Sequence, residues 1–306
     1  MPSVSHSAGP ADLAVVGASG FIGARIRGLA EADGRRVVGF TRQHPAVLDG
    51  RIVDELAGVP VVVWAASMIT PAVAEAEPEA VLLERDSFHE FVDALPDTTR
   101  VVFLSSGGTV YSGDGSPFSE SMPADPVNRY GAAKLELERL LAASPLPTTV
   151  LRVANAYGPG QLAKRGQGVV GYWMRAARAG LPISIYGDGT SERDFVYVDD
   201  IARAVLLAAD TASETDRVFN IGSGTPTTIT ELAERLRAVL PFDVVIEHLP
   251  SRGFDVSASW LDVSAAAEGL GWRPEVGLDE GLRRAWEWLV ATEPAPEPEP
   301  ASGSAS

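Results

Sequence analysis

Short apolar runs alternate with amphipathic stretches through the first half of the chain. LAVV (13–16), RVVGF (36–40), VVVWAA (61–66), RVVFLSS (100–106) and TTVLRV (148–153) are β-branched and continuously apolar. Strands buried on both faces of a parallel sheet have this pattern, whereas half-exposed strands alternate. The periodicity between them predicts helices from about Phe21, over 79–94 and over 129–142. Strand and helix in regular succession predict an α/β fold, a doubly wound parallel sheet. The stretch between Phe40 and Val61 is too short for a full strand and helix, so the third unit is expected to be reduced.

Beyond about residue 155 the pattern loosens. GPGQLAKRGQG precedes a helix expected over 168–179, then come ISIYGDG, a helix over 199–209, a strand RVFNIG (217–222) and a helix ITELAERLRAVL. Thr228 and Glu231 open that last helix with the spacing of a capping box. This is the outline of a smaller second lobe whose chain returns in part to the sheet. The closing TEPAPEPEPASGSAS is Pro, Glu and Ser with nothing to bury and is expected to be disordered.

Composition removes several classes of function. No apolar run approaches the roughly 20 residues that cross a bilayer, and the N-terminus MPSVSHSAGPAD lacks the basic and apolar regions of a leader, so a cytoplasmic protein without membrane partner is expected. The absence of cysteine excludes thiol catalysis and disulfides. His6, His44, His89 and His248 lack ligand spacing, so no metal site is expected. A formal net charge of -16 argues against nucleic acid. A small anionic ligand needs only a local cluster of arginines.

Two motifs carry chemistry. GASGFIG (17–23) follows the first strand and opens a helix. Gly17 permits the tight turn, Gly20 lets a pyrophosphate approach the backbone, Gly23 lets helix and strand pack closely, and the helix N-terminus supplies unpaired N–H donors. Ser19, Phe21 and Ile22 in this loop, and Ala65 after the VVVW strand, complete the expected contacts to a dinucleotide. YGAAK places Tyr130 and Lys134 four residues apart at the start of a helix, on one face. There the ammonium can draw the phenol below its usual value of about 10, making it a usable general acid or base.

Together these motifs resemble the extended short-chain dehydrogenase/reductase family of nucleotide-sugar epimerases, dehydratases and ketoreductases. The likeness continues through LRVANAYGPGQ, GDGTSERDFVYVDD and GWRPEVGLDEGL and covers roughly residues 12–291. It implies a Rossmann-type dinucleotide-binding domain over 12–155, rejoined near 217–222, and a mainly nucleotide-sugar-binding lobe over 156–291. Residues 1–11 form a flexible start and 292–306 the disordered tail. The resemblance also implies a homodimer through helices such as 79–94 and 129–142.

In the family a Ser or Thr at the end of the fourth major strand bonds the sugar oxygen beside the tyrosine. In LSSGGTVY, counting back from Val110 and Tyr111 puts Gly107 at that place, flanked by Ser106 and Thr109. Either hydroxyl could replace the missing one. The Asp-Glu pair with which family dehydratases eliminate water is represented by Gly108 and Thr109, so dehydration is set aside. Arg193 and Arg252 stand at positions resembling the family's clamps on the substrate pyrophosphate, and Asn155 at a substrate-contacting position. Guanidinium forks bind two phosphate oxygens at once.

The end of the second strand selects the cofactor. An acid there bonds a free ribose 2′-hydroxyl, whereas a 2′-phosphate needs the acid absent and a cation nearby. Residues 40–43 are Phe, Thr, Arg and Gln, so Thr41 and Arg42 favour NADP(H) over NAD(H). That preference suits a consumer of reducing equivalents. The expected activity is NADPH-dependent reduction of a 4-keto-hexose carried on dTDP or UDP. Tyr130 would protonate the C4 oxygen, Lys134 would hold the nicotinamide ribose and tune the tyrosine, and Ser106 or Thr109 would steady the carbonyl. The alternative is a UDP-hexose 4-epimerase that retains NAD. A non-catalytic cofactor sensor on this fold would be marked by loss of the Tyr/Lys pair, and both residues are present.

Overall fold

Six parallel strands form the central sheet, in the order Arg217–Ile221, Thr148–Val153, Arg100–Ser106, Val61–Trp64, Leu13–Val16 and Val37–Phe40. The structure is a computed structural model that describes residues 10–112, 115–162, 168–211, 217–251 and 258–294. Alternate side chains of each strand enter opposite cores, and both cores are apolar, which explains the continuous runs. Leu13, Val15, Val63, Val102 and Leu151 pack with Ile26, Ala202 and Val205 of helices Phe21–Ala32 and Val198–Asp210. Ala14, Val62, Val101, Phe103 and Val150 pack with Phe88, Phe91, Leu137 and Leu141 of helices Pro78–Ala94 and Arg129–Ala143. Each large side chain so buried contributes about 1.5–3 kcal/mol relative to exposure.

The third unit is reduced to a hairpin, Val47–Leu48 with Arg51–Ile52, and a single 3-10 turn, Asp54–Leu56. Val37–Phe40 therefore ends the sheet at one edge. The third strand stops at Trp64, so Ala65 and Ala66 leave the sheet instead of extending it as the apolar run suggested.

Outside the central sheet, strand Glu192–Tyr197 pairs with Asn155–Tyr157, Pro226–Thr228 and Ala258–Ser259, and Ile183–Tyr186 pairs with Ile246–Leu249. Their core holds Tyr157, Trp173, Leu232, Leu236, Leu282 and Trp286. The expected capping box forms by half. Thr228 Oγ1 accepts from the Glu231 N–H at 3.0 Å, but the Glu231 carboxylate pairs with Arg235 instead of returning to the cap.

Asp200, fully buried, ties helix Val198–Asp210 to the segment before the last helix. Its Oδ2 accepts from the N–H groups of Glu275 and Val276 at 3.1 and 3.0 Å, and its backbone oxygen accepts from Trp272 Nε1 at 2.9 Å. The GWRPEV segment thus has a structural task, seating the last helix, Leu278–Thr292. That helix includes Thr292, and Glu293 beyond it accepts from Arg175 Nε at 3.0 Å, so the packed chain reaches past the expected start of the tail at 292. At the other end Ala11 already packs on the core, inside the stretch 1–11 expected to be flexible.

Candidate active site

The carboxyl ends of the central strands bring the glycine loop, Thr41, Arg42, Ala65, Ser106 and Thr109 to one edge of the sheet, where open α/β sheets generally bind ligands. Gly17 follows Leu13–Val16 with φ of 90°, and a Cβ on it would stand 2.7 Å from the Ala66 nitrogen. A Cβ on Gly23 would stand 2.2 Å from the Gly17 oxygen. Only glycine allows the loop, the Ala65–Ala66 segment and the helix to meet this closely. Gly20 is the extended N-cap of helix Phe21–Ala32, and no side chain caps that helix. An uncapped N-terminus behind a glycine turn offers N–H donors to a phosphate, so the residues present fit a dinucleotide pyrophosphate carried by Gly17, Ser19, Gly20, Phe21, Ile22 and Gly23.

At the next strand end, Thr41 and Arg42 lie in a tight loop. Thr41 N–H donates to the His44 oxygen at 2.8 Å, and His44 stacks on Phe40 with ring centroids 5.4 Å apart. Arg42 is exposed there. Sequence reading missed a second cation: Arg27 of the first helix reaches across the strand, its Nη1 3.7 Å from where a Cβ on Gly39 would stand. Its exposed partner Glu31, 3.0 Å away at i,i+4, gave it the look of a solvated helix pair.

Asn128 caps the helix that bears the Tyr/Lys pair, its Oδ1 accepting from the Gly131 N–H at 2.8 Å. Tyr130 is half-buried, and the Lys134 ammonium lies 5.6 Å from the centre of its ring and 6.0 Å from that of Phe103. Lys134 is only 3% exposed. Its Nζ donates to Glu84 Oε1 at 2.7 Å and to Ser67 Oγ at 3.1 Å. Glu84, also 3% exposed, accepts in addition from the N–H groups of Met68 and Ile69 at 2.7 and 3.0 Å. Neither Glu84 nor Ser67 was anticipated. The signal was available, because Glu84 is the one acid on a helix face otherwise built from Phe88, Phe91 and Val92.

Ser106 ends the fourth strand and Thr109 lies one turn later, both half-buried. Ser105, on the opposite face, is occupied: its hydroxyl donates to Glu138 Oε1 at 2.5 Å. Gly107 has a physical explanation. A Cβ there would stand 2.6 Å from Leu261 Cδ1 and 2.9 Å from the Arg152 oxygen, leaving no room for a hydroxyl-bearing side chain. Asn155 adjoins this segment, with its Nδ2 3.9 Å from the place of a Cβ on Gly108, and donates to the Asp194 oxygen at 2.9 Å.

Arg193 lies on the strand beside Asn155 and donates from Nη1 to the Glu192 oxygen at 2.7 Å. The neighbouring acids turn elsewhere, Asp199 to Arg25 and Asp194 into the protein. Asp194 Oδ1 accepts from Ser223 N–H and Oγ at 2.6 and 2.7 Å, and Oδ2 accepts from Gly224 and Leu261 N–H at 3.2 and 3.3 Å. Burial pushes its carboxyl above the usual range, against the pull of these bonds. Arg252 lies outside the described residues.

Beneath the site runs a second buried network, which the motifs did not disclose. Arg152 pairs with Glu138 at 2.6 Å and donates to the Tyr111 hydroxyl at 2.8 Å, which donates to Asn220 Oδ1 at 2.9 Å. Burial works against the Arg152 charge, but the bonds and charge of Glu138 outweigh it and hold the guanidinium protonated. Burial raises the Tyr111 hydroxyl, so it stays neutral. Among the described residues no cluster of His, Cys, Asp and Glu could hold a metal, and no helix is long and apolar enough to cross a membrane.

Known proteins share this arrangement over nearly the whole chain. A UDP-glucose 4-epimerase of Mycolicibacterium smegmatis is 32% identical over 90% of this chain and 97% of that protein. A dTDP-6-deoxy-L-talose 4-dehydrogenase (NAD(P)(+)) of Kitasatospora kifunensis is 33% identical over 92% and 96%. The solved structure of MoeE5 in complex with UDP-glucose and NAD superposes with a TM-score of 0.82 at 30% identity, covering 91% of this chain and 98% of that one. Residues 13–222 match the NAD dependent epimerase/dehydratase family. With the Rossmann-type sheet, the glycine loop and the Tyr/Lys helix at its carboxyl edge, the chain belongs to that family of nucleotide-sugar epimerases and reductases.

Proposed function

We propose that the protein is a nucleotide-sugar oxidoreductase acting at C4 of the hexose, and that its reaction is the NADPH-dependent reduction of a 4-keto-6-deoxyhexose carried on dTDP or UDP. The observation that carries the redox reading is the Tyr130–Lys134 pair, held on one helix face beside Ser106 and Thr109 at the carboxyl edge of the sheet. The cofactor, when bound, supplies hydride to the substrate carbon. Tyr130 gives its hydroxyl proton to the carbonyl oxygen as that carbon is reduced, so the ketone becomes an alcohol and the proton is recovered from solvent. Ser106 or Thr109 steadies the same oxygen by a hydrogen bond. Lys134 is assigned to tune the tyrosine and to hold the nicotinamide ribose, a contact its ammonium would share with the Glu84 and Ser67 bonds it makes in the structure. Arg193, with Arg252 and Asn155, is assigned to the nucleotide-sugar end, where two phosphates need cationic donors.

NADP(H) is favoured by Thr41 and Arg42 where an acid would serve NAD, with Arg27 adding a second cation at the same strand end. The name of the Kitasatospora relative, NAD(P)(+), admits either cofactor. A 4-epimerase is the second reading, favoured by the Mycolicibacterium relative and by the UDP-glucose and NAD bound to MoeE5. The same Tyr130 and Lys134 would then act in both directions on one substrate. A homodimer through helices Pro78–Ala94 and Arg129–Ala143 belongs to the proposal for either activity.

The readings separate in one experiment. The purified protein is assayed with a dTDP-4-keto-6-deoxyhexose and NADPH, following nicotinamide absorbance, and in parallel with UDP-glucose and no added cofactor. Loss of NADPH absorbance with formation of the reduced sugar is the expected outcome. Conversion of UDP-glucose to UDP-galactose, with NAD retained by the protein as purified, would replace the reductase by the epimerase.

A further inference from the structure

We infer that Glu84 is a positioning residue for the Tyr130–Lys134 pair, fixing the place and the charge of the ammonium that faces the tyrosine. The inference rests on Tyr130 being the acid of the proposed reaction. Glu84 stands on the core face of helix Pro78–Ala94, where a carboxylate is costly unless its oxygens are fully partnered. They are: Lys134 Nζ, Ser67 Oγ and the N–H groups of Met68 and Ile69 all lie within 2.7–3.0 Å of one or other oxygen. A lysine stem is otherwise a flexible four-carbon chain with a mobile charge. Here its ammonium is fixed between Glu84 and Ser67, 5.6 Å from the Tyr130 ring.

The same carboxylate anchors the segment leaving the third strand. Met68 and Ile69 follow Ala65 and Ala66, and Ala66 abuts Gly17 of the phosphate loop. Glu84 thus ties the lysine to the backbone that borders the glycine turn. It also places a negative charge behind the ammonium, offsetting part of the field that reaches the phenol.

Other charges around the pair are committed elsewhere. Glu75, on helix Pro71–Ala76, lies 3.6 Å from Arg129. Arg85 bonds Asp86 and lies 3.8 Å from Glu136. Glu138, on the Lys134 helix, is taken by Arg152 and Ser105, and strand Arg100–Ser106 presents the uncharged Phe103 ring. Exposed pairs are screened by solvent, and the buried Glu138 is neutralised by Arg152, so among the described residues Glu84 is the acid whose charge Lys134 feels most.

The test titrates Tyr130 itself. Tyrosinate absorbance against pH, parent minus Tyr130→Phe, yields the Tyr130 midpoint without any substrate. Repeating it in Glu84→Gln, which keeps the shape and removes the charge, should move the midpoint by about one pH unit: down where the ammonium keeps its charge with nothing opposing it, up where the buried ammonium, left without its counter-charge, sheds its proton. Glu84→Asp keeps the charge but draws it back by one methylene, and should move the midpoint in the same direction by less. If Glu84→Gln does not fold, Glu84→Asp decides. Midpoints that superimpose on the parent's, or a Glu84→Asp chain that fails to fold, would overturn the inference and leave Glu84 a structural member of the core. Turnover is measured alongside: full activity in Tyr130→Phe would refute the catalytic reading, whereas its loss with unmoved midpoints would refute only the role of Glu84.

Discussion

Gly131 stands against the backbone of Thr109, so close that a Cβ on it would lie 2.1 Å from the Thr109 oxygen. The residue between Tyr130 and the rest of its helix is therefore the point at which that helix docks on the Ser106–Thr109 segment. Gly131→Ala should push the helix start outward and carry Tyr130 with it. Overpacking of this kind costs about 1–3 kcal/mol, and a shift of about 1 Å at a reacting group can cost about a hundredfold in rate. Thermal unfolding and turnover measured together would check this, and unchanged turnover would contradict the docking role.

Arg42→Ala should weaken NADPH binding about 10- to 100-fold, corresponding to loss of one charge-assisted contact of about 1.5–3 kcal/mol, and leave NADH binding unaltered. Arg27→Ala should act in the same direction. Calorimetric titration with each cofactor gives the answer; equal losses for NADPH and NADH would show that neither arginine reads the 2′-phosphate.

The Arg152–Glu138 pair is buried, with Ser105 and Tyr111 completing its bonds. Arg152→Met leaves Glu138 charged and unpaired in the core, which should cost about 3–5 kcal/mol. Adding Glu138→Leu should recover most of that loss, since an apolar pair has no charge to desolvate. Denaturant unfolding of both variants tests the sign of the second step.

Asp194 has a pH signature of its own. Its carboxyl is raised by burial, so the fold holds a proton that the unfolded chain, with a value of about 4, has already released. Ionising it costs stability, and the cost grows as pH climbs from the unfolded value through the raised folded value. The unfolding free energy of the parent minus that of Asp194→Asn should be level in acid and fall across this window. Any constant offset from altered hydrogen bonding leaves the slope intact, and a difference that stays level throughout would refute the assignment.

The sheet was legible because its evidence is local. An apolar run of five residues bounded by turn residues, as in RVVGF or TTVLRV, identifies a strand covered on both faces wherever it packs. GASGFIG and YGAAK were legible for a related reason: Gly17 and Gly23 meet within one turn and Tyr130 and Lys134 share one helical face, whereas the approaches of Gly17 to Ala66 and of Gly131 to Thr109 were not legible. The short strands Asn155–Tyr157, Pro226–Thr228 and Ala258–Ser259 were not, because each is held by the single strand Glu192–Tyr197 from a distant part of the chain. The capping box failed in part for the opposite reason, a local competitor, as the Glu231 carboxylate found Arg235 one turn along its own helix.

What the chain's order of residues determined on its own was the α/β sheet, the phosphate turn, and the spacing of tyrosine and lysine, since period and glycine placement act over a few residues. What only the tertiary structure decided was the company those residues keep. Glu84 meets Lys134 across 50 residues, Arg27 crosses to Gly39, and Leu261 excludes a side chain at Gly107. Desolvation and charge pairing depend on distance in space, and a carboxylate that reads as an ordinary helix acid becomes a lysine's partner when the fold closes water out around both.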